Sequence, residues 1–246
     1  MDIVVDSLTH VFPGKPPRPA LENLSFNVTS GQFVAVIGPS GCGKSTLLRL
    51  VANLLQPSTG RISAGGKSPA QASADRRIAW MSQSPALLPW RTARGNVALT
   101  AQFMPSGKAR LTPEAALERV GLSDAADIYP FMLSGGMQQR LALARTLTLP
   151  ADLWLMDEPF AALDELTRER LTGDLLELWR PYRATVLWVT HNLSEALRLA
   201  DRVLVLSPRP ARLIADVKVD LPRPREDDDP AFLTLRAQLR KALEDG

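Results

Sequence analysis

A glycine-rich loop between a strand and a helix constrains this chain more than any other feature of its sequence. The apolar, β-rich segment FVAVI at 33 to 37 precedes GPSGCGKS at 38 to 45, and TLLRLVANLL then shows apolar residues at helical spacing. This order matches the phosphate-binding loop, in which backbone N–H groups surround a phosphate at the positive end of a helix. Lys44 is then placed to reach the β- and γ-phosphates of a nucleotide, and the Ser45 hydroxyl to bind Mg²⁺.

Two further strands end in residues suited to phosphate chemistry. LWLMDE at 153 to 158 is a continuous apolar run, typical of a strand buried on both faces, and it ends in Asp157 and Glu158. TVLWVTH places His191 at the end of another such strand. Ligands of open α/β sheets bind beyond the carboxyl ends of the strands, so we expect these side chains beside Lys44 and Ser45. Asp157 suits the Mg²⁺ shell, and Glu158 can polarise a water for attack on the γ-phosphate.

The remaining pattern predicts strands that alternate with helices. After a strand-rich first quarter, helices are predicted near 165 to 180 and over SEALRLA, with strands near 202 to 206 and 212 to 218. Prolines and short helical patterns indicate a helical insertion at about 84 to 150. A Pro-rich charged linker then leads to a C-terminal amphipathic helix, expected to pack on the domain through Phe232, Leu235, Leu239 and Leu243. Such alternation implies a parallel sheet covered on both faces.

Composition excludes several other classes of protein. Hydrophobic residues make up 45% of the 246 residues and charged residues 22%, which is typical of a folded domain rather than a disordered or fibrous chain. The net charge of +3 is too small to indicate nucleic-acid binding, and the single cysteine favours a reducing compartment such as the cytoplasm. No export signal is evident, and the apolar runs are far shorter than the roughly 20 residues that a membrane-spanning helix needs.

A second anion cradle is predicted at LSGGMQQR, residues 133 to 140. Ser134 stands at a helix N-cap position, and Gly135 and Gly136 expose backbone amides before an amphipathic helix. One nucleotide has no obvious use for two cradles in the same chain. We therefore expect the second cradle to serve a nucleotide held by another subunit.

In their order along the chain these motifs resemble those of the nucleotide-binding subunits of ABC transporters, over nearly the whole sequence. The matching segments are the Walker A loop at 38 to 45, the Q-loop residue Gln83, the signature LSGGM at 133 to 137, the Walker B strand at 153 to 157, the D-loop AALD at 161 to 164 and the switch histidine His191. Three positions depart from the family pattern: Asn53 stands in place of Gly, Gly95 in place of an acidic residue, and Asn192 in place of Asp.

The resemblance implies a fold, cofactors and residue roles. The fold is α/β, a P-loop ATPase core with a mostly parallel sheet, an N-terminal antiparallel β region and an inserted helical subdomain. Residues 1–220 would form the RecA-like nucleotide-binding domain, with its helical subdomain at about 84–150, and 221–246 the C-terminal linker and helix. The implied cofactors are ATP and Mg²⁺, with Glu158, His191 and Lys44 catalytic and with Ser45, Gln83 and Asp157 on the metal. The implied ATP-binding residues are Phe12, which stacks on adenine, Gly38, Ser40, Gly41, Cys42, Gly43, Lys44, Ser45, Thr46, Gln83, Ser134, Gly135, Gly136 and Asp164.

The resemblance also implies partners. Two copies would form a head-to-tail homodimer, with each ATP between the Walker A loop of one copy and the signature of the other. The dimer would drive a membrane permease, contacted near Gln83 to Trp90, and would act indirectly with an extracytoplasmic solute-binding protein. The chain would then lie peripherally at the cytoplasmic face of the cell membrane and bind no nucleic acid. For the apolar residues Leu87, Leu88 and Trp90, packing in the core is the alternative.

SQSPALLPWRTARGNVAL at 82 to 99 and the tail VDLPRPRE further resemble importer ATPases for nitrate, sulfonates and taurine. Relatives that import thiamine-precursor pyrimidines have a similar Q-loop segment. Import of such a pyrimidine or of another small organic solute therefore stays open as the alternative. A soluble ABC ATPase acting on DNA or ribosomes is less well supported, because such proteins usually carry a long coiled-coil insertion or two cassettes. A P-loop kinase or GTPase would have no use for LSGGMQQR, and no guanine-specific motif is present.

Overall fold

The computed structural model describes residues 1–102 and 109–246. Its strands are β1 (Ile3–Phe12), β2 (Arg18–Val28), β3 (Phe33–Ile37), β4 (Thr59–Ala64), β5 (Ile78–Met81), β6 (Leu153–Asp157), β7 (Thr185–Val189), β8 (Arg202–Leu206) and β9 (Leu213–Lys218). Its α-helices are α1 (Lys44–Val51), α2 (Pro69–Ala74), α3 (Ala93–Gln102), α4 (Pro113–Arg119), α5 (Gly135–Leu147), α6 (Glu165–Tyr182), α7 (Leu193–Leu199) and α8 (Pro230–Asp245).

The central sheet has the strand order β5-β6-β7-β3-β8-β9. Its first four pairings are parallel, and only β9 runs antiparallel to its neighbour β8. Every residue of β3, β6 and β7 is buried, as the apolar runs predicted. The expected α/β class with a mostly parallel sheet is therefore confirmed.

A second sheet joins β2, β1 and β4 in that order, with both pairings antiparallel. It confirms the expected N-terminal antiparallel region, but β2 is longer than the β-rich segment LSFNV at 24 to 28 that the sequence indicates. The strand begins at Arg18 and so includes Pro19, although the Pro- and Gly-rich stretch PGKPPRP at 13 to 19 favours a turn. Among the named strands β2 pairs only with β1, and Ala211 bridges its other side only at Ala20 to Glu22. The missing N–H of Pro19 therefore costs no hydrogen bond on the open side.

The helical insertion contains α3, α4, α5 and two short 3₁₀ turns, at Ser123–Ala125 and Pro130–Met132. The three helices pack against one another, and α5 also contacts β5 of the central sheet. Residues 103–108 of the predicted insertion lie outside the described residues.

The core has a layer on each face of the central sheet. Alternate residues of β3 point to opposite layers, so Ala35 and Ile37 join one layer while Val34 and Val36 join the other. Trp154 and Trp188, which lie inside two of the buried strands, are fully buried.

The C-terminal helix α8 packs on this core, as its amphipathic pattern predicted. Phe232 and Leu239 are fully buried, and Leu235 and Leu243 pack beside them with partial exposure. No helix in the described part of the chain combines the length and apolar character needed to span a bilayer.

We expect Phe232→Ala to lower the free energy of unfolding by about 3 kcal/mol, because a fully buried aromatic side chain is lost and a cavity remains. Urea titration followed by circular dichroism measures this change. Leu233→Ala is the matched control, since the neighbouring Leu233 is exposed on the same helix. Equal effects of the two substitutions would contradict the packing of α8 described here.

Candidate functional site

The site lies where β3, β7 and β6 end side by side. These strands are neighbours in the sheet and run parallel, with Val36 opposite Val189 and Val189 opposite Asp157. Their carboxyl ends therefore deliver the glycine loop, the acidic pair and His191 to one edge, as the sequence predicted.

The glycine loop is shaped to receive an anion. Gly41 has a φ of +74° and open space around it, and Gly43 has a φ of +132°, so both favour glycine. Helix α1 begins directly after Gly43 with no side-chain cap, whereas an Asp, Asn, Ser or Thr caps α2, α4, α5, α6, α7 and α8. The first N–H groups of α1 are thus free to bind phosphate oxygens, as a nucleotide-binding loop requires.

Lys44 is held over this loop. Its ammonium donates hydrogen bonds to the carbonyl oxygens of Gly38, at 2.7 Å, and Pro39, at 2.9 Å, and its side chain is buried. The neighbouring Cys42 is also buried, and burial raises the pKa of its thiol despite the nearby Lys44 charge. The loop therefore presents a cation and backbone N–H groups, with a thiol of low reactivity packed behind them.

The Ser45 hydroxyl, in the first turn of α1, donates a hydrogen bond at 3.0 Å to Asp157 Oδ1, at the end of β6. Asp157 is buried, and burial raises its pKa, although the Ser45 bond opposes the rise and Glu158 adds to it. The described residues contain no cluster of three or more Asp, Glu, His or Cys side chains around a cation. One carboxylate and one hydroxyl suit Mg²⁺ that takes its other ligands from phosphates and water.

Glu158 and His191 form a pair beside this site. His191 Nδ1 lies 3.2 Å from Glu158 Oε2; the histidine side chain is 66% exposed and that of the glutamate 18%. Glu158 has a φ of +47°, a left-handed conformation that costs a residue of this size about 1–3 kcal/mol. Its backbone N–H donates to the Val189 carbonyl, which holds this conformation at the strand end. The carboxylate therefore lies beside His191 at the end of β6, on the same edge of the sheet as the loop.

Phe12 ends β1 beside a cleft of about 480 Å³ lined also by Lys15, Arg18 and Arg209. The ring of His10 contacts Phe12 edge-on at 4.6 Å between centroids, and the Arg209 guanidinium lies 5.9 Å from the Phe12 centroid. An aromatic face among cations suits a base with attached phosphates. Gln83 lies after β5 and is exposed.

The second cradle is on the surface of the helical insertion. Ser134 caps α5 by accepting the Met137 N–H at 3.3 Å, and both Ser134 and Gly135 are exposed. Open space surrounds Gly135, whereas a side chain on Gly136 would press on the Ala162 carbonyl of the D-loop at 3.2 Å. The Ser134 hydroxyl thus bonds within its own helix, and the cradle faces outward.

Two cap residues support the loops of the site, and the sequence analysis did not assign them this role. Asp164 caps α6 by accepting the Thr167 N–H at 2.9 Å, and these hydrogen bonds lower the pKa of its carboxyl. Asn192 caps α7 directly after His191 by accepting the Glu195 N–H at 3.0 Å. An Asn oxygen caps a helix as well as an Asp oxygen does, which explains how this departure from the family pattern is tolerated. Asn53, with a φ of +60°, likewise occupies a left-handed position where glycine is usual.

A buried amide that the sequence did not single out shapes the segment after Gln83. Asn96 accepts the Leu88 N–H at 2.8 Å and donates to the carbonyls of Leu88, Arg91 and Thr92. Arg145, near the end of α5, donates to the Ala86 carbonyl at 2.6 Å. Leu87 packs against the core, in agreement with the alternative stated for the apolar residues of this segment. Trp90, in contrast, is 70% exposed.

Comparisons with known proteins identify the family to which this chain is similar. The family model described as "ABC transporter" matches residues 21–161. The nitrate import ATP-binding protein NrtD of Synechococcus elongatus is 40% identical over 243 residues, covering 95% of this chain and 88% of that protein. The bicarbonate transport ATP-binding protein CmpD of a Synechocystis strain is 39% identical over 244 residues, covering 95% of this chain and 86% of that protein.

Among solved structures, a dimeric, post-hydrolysis ATP-binding cassette bound to ADP and Pi superposes with a TM-score of 0.79 at 29% identity, covering 89% of this chain and 99% of that one. In this chain the glycine loop, the acidic end of β6, His191 and the signature are thus carried on a fold that matches that cassette. The chain therefore belongs to the ABC transporter family, as one of its ATP-binding, ATP-hydrolysing subunits.

Proposed function

We propose that this chain energises the import of a small anion such as nitrate, a sulfonate or taurine, as a head-to-tail homodimer bound to a membrane permease. The names of the nitrate and bicarbonate relatives support an anionic solute. Import of a thiamine-precursor pyrimidine or another small organic solute is the alternative. The observation that carries the dimer is the outward-facing cradle of Ser134 and Gly135, which is open to solvent and suits the nucleotide of a second copy.

In the proposed site, the free N–H groups of α1 and the Lys44 ammonium bind the β- and γ-phosphates of ATP. The ammonium would exchange the Gly38 and Pro39 carbonyls for phosphate oxygens. Ser45, Asp157 and Gln83 would hold Mg²⁺, which neutralises charge on the phosphates. Phe12 would stack on the adenine, and Gly38, Ser40, Gly41, Cys42, Gly43 and Thr46 would form the remaining wall of the loop.

In this proposal Glu158 is the general base of hydrolysis. Its carboxylate takes a proton from a water, the water oxygen bonds to the γ-phosphorus, and the bond from that phosphorus to the β–γ bridging oxygen breaks to release ADP. His191 holds the carboxylate through its 3.2 Å contact and, being exposed, can also reach the γ-phosphate. Ser134, Gly135 and Gly136 of the second copy would complete the phosphate shell, with Asp164 nearby at the interface.

Helix α5 connects this chemistry with the surface proposed to bind the permease. Ser134 caps its start, the Gln139 amide lies 3.5 Å from the Glu158 carbonyl oxygen, and Arg145 holds Ala86 near its end. Asn96 fixes the turn from Leu88 to Thr92 from the other side. The exposed Trp90 would therefore dock on the permease from a rigid support, at the cytoplasmic face of the membrane.

We expect Glu158→Gln to slow ATP turnover by about 100-fold or more while ATP still binds, because the amide cannot accept the proton of water. Phosphate release and equilibrium ATP binding measure the two properties. Glu118→Gln, an exposed change on α4, is the control and should leave both unchanged. Turnover near that of the wild type would refute the role of Glu158.

We expect Ser134→Arg to abolish ATP-dependent dimerisation and hydrolysis without weakening ATP binding to the single chain. Sedimentation of the Glu158→Gln protein with ATP, with and without Ser134→Arg, tests dimerisation. Ser68→Arg is the control because it also removes the side-chain cap of an exposed helix, α2, away from the signature. Loss of ATP binding by the single Ser134→Arg chain would exclude the cross-dimer arrangement.

Transport is tested by purifying the tagged chain from its native cells in mild detergent and identifying its partners by mass spectrometry. We expect a membrane permease and a solute-binding protein, and ATPase activity that nitrate or a sulfonate stimulates when that binding protein is added. Trp90→Ala should reduce recovery of the permease several-fold, whereas Leu54→Ala, another exposed apolar residue, should not. Ribosomal or DNA-repair proteins without a permease would overturn the transport role while leaving the ATP site intact.

A further inference from the structure

A cationic cleft lies at the edge of the central sheet opposite the nucleotide site. It measures about 370 Å³, and its charged lining residues are Arg180, Arg183, Arg223, Arg225, Asp201 and Asp220. Asp201 directly precedes β8 and accepts the Phe33 N–H at the start of β3, while Arg183 stands two residues before β7. The cleft therefore faces the amino ends of the strands whose carboxyl ends form the ATP site.

Trp179 organises two of the guanidinium groups. The central carbons of the Arg183 and Arg223 guanidinium groups each lie 5.2 Å from the Trp179 ring centroid, and the indole N–H donates to the Ala184 carbonyl at 2.6 Å. The buried indole is thus a fixed platform for two cations. Nε of Arg223 is buried and has no hydrogen-bond partner.

Arg225 places a buried positive charge next to this platform. Its five N–H groups bond to backbone carbonyls alone: those of Leu197, Ala200 and Val219, and twice that of Leu221. Burial, with a further contribution from Arg223, lowers the pKa of Arg225 to about 10, so the group is still charged at neutral pH. These bonds satisfy its donors but leave its charge without a carboxylate partner.

The other charges of the cleft are matched in pairs. Arg180 pairs with Glu177 at 2.6 Å, Asp220 with Lys218 at 2.6 Å, and Asp201 with Arg223 at 2.8 Å. Arg183 and Arg225 have no such partner among residues 1–102 and 109–246. Two positive charges are thus uncompensated in a cleft that opens to solvent.

We propose that this cleft binds a small oxyanion of the phosphate or sulfate type. The exposed guanidinium of Arg183 would supply direct hydrogen bonds in the forked geometry that suits oxyanions, beside the Arg223 guanidinium on the same indole ring. The buried charge of Arg225 supplies a field that favours an anion over water.

Binding of an anion in the cleft would also stabilise the position of the C-terminal segment of the chain. Residues 219 to 225 carry Arg223 and Arg225, which hydrogen-bond to the carbonyls at the end of α7, and the segment leads into α8. An anion between Arg183 and these arginines would join the end of α6 to the segment. We therefore expect bound anion to raise the melting temperature.

The test must separate this cleft from the phosphate loop, which also binds oxyanions. Calorimetric titration of phosphate and of sulfate, at constant ionic strength set by chloride, uses the Lys44→Ala chain, whose loop lacks its cation. The wild-type chain saturated with ADP is a second measurement that does not depend on that variant. Arg183→Gln, alone and combined with Lys44→Ala, removes the exposed guanidinium, and Arg119→Gln is the control because it is an exposed arginine on α4.

We expect oxyanion binding to persist in Lys44→Ala and in the ADP-saturated wild type, to weaken about tenfold with Arg183→Gln, and to be unaffected by Arg119→Gln. Absence of phosphate and sulfate binding in both the Lys44→Ala chain and the ADP-saturated wild type would overturn the proposal, as would equal binding by Arg183→Gln. Binding of an oligoglutamate peptide without binding of either oxyanion would overturn it in favour of an acidic protein partner. None of these outcomes depends on the transport role.

Discussion

Complete burial of three parallel strands is the constraint on which the rest of this structure depends. Because β3, β6 and β7 are covered on both faces, each can be apolar along its whole length and place chemistry only where it ends. Because the three strands run in the same direction, their carboxyl ends lie together. The phosphate loop, the acidic pair and His191 share one edge for this reason, although about 150 residues separate the first from the last.

The same edge retains three features that are unfavourable for the stability of the protein alone. Helix α1 starts without a cap, Asp157 is buried with its pKa raised, and Glu158 has a left-handed backbone. Each of these costs stability in the protein alone, and functional sites are where such costs are retained. Surrounding structure supports them: the Val189 carbonyl fixes Glu158, and Asn192 caps the helix that follows His191.

Periodicity and motif spacing predicted most of the central sheet, the C-terminal helix and the placement of Lys44, Ser45, Asp157, Glu158 and His191, because these features follow from local pattern and from parallel strands. They did not predict β4 or β5. The first three residues of β4 are exposed, and β5 has only four residues, so neither shows a clear apolar pattern.

Contacts between distant segments of the chain also could not be predicted from the sequence. Asn96 and Arg225 are polar residues that pattern analysis assigns to the surface, yet both are buried and bonded to backbone carbonyls of neighbouring segments. Only the fold shows which carbonyls surround them. The bond between Glu158 and His191 likewise depends on a left-handed turn that nothing in the residue type indicates.

Two core residues of β2, Ala20 and Leu21, pack against the phosphate loop at Gly43. A side chain at Gly43 would lie 2.8 Å from Leu21 Cδ2 and 2.9 Å from the Ala20 carbonyl oxygen, so strand β2 of the antiparallel sheet presses directly on the phosphate loop. A bulkier residue at position 21, or a shift in the register of β2, would displace the loop without touching any nucleotide contact. In mutational scans, positions 20 and 21 should therefore behave as determinants of activity, although by burial alone they would be classed with the packing of the core.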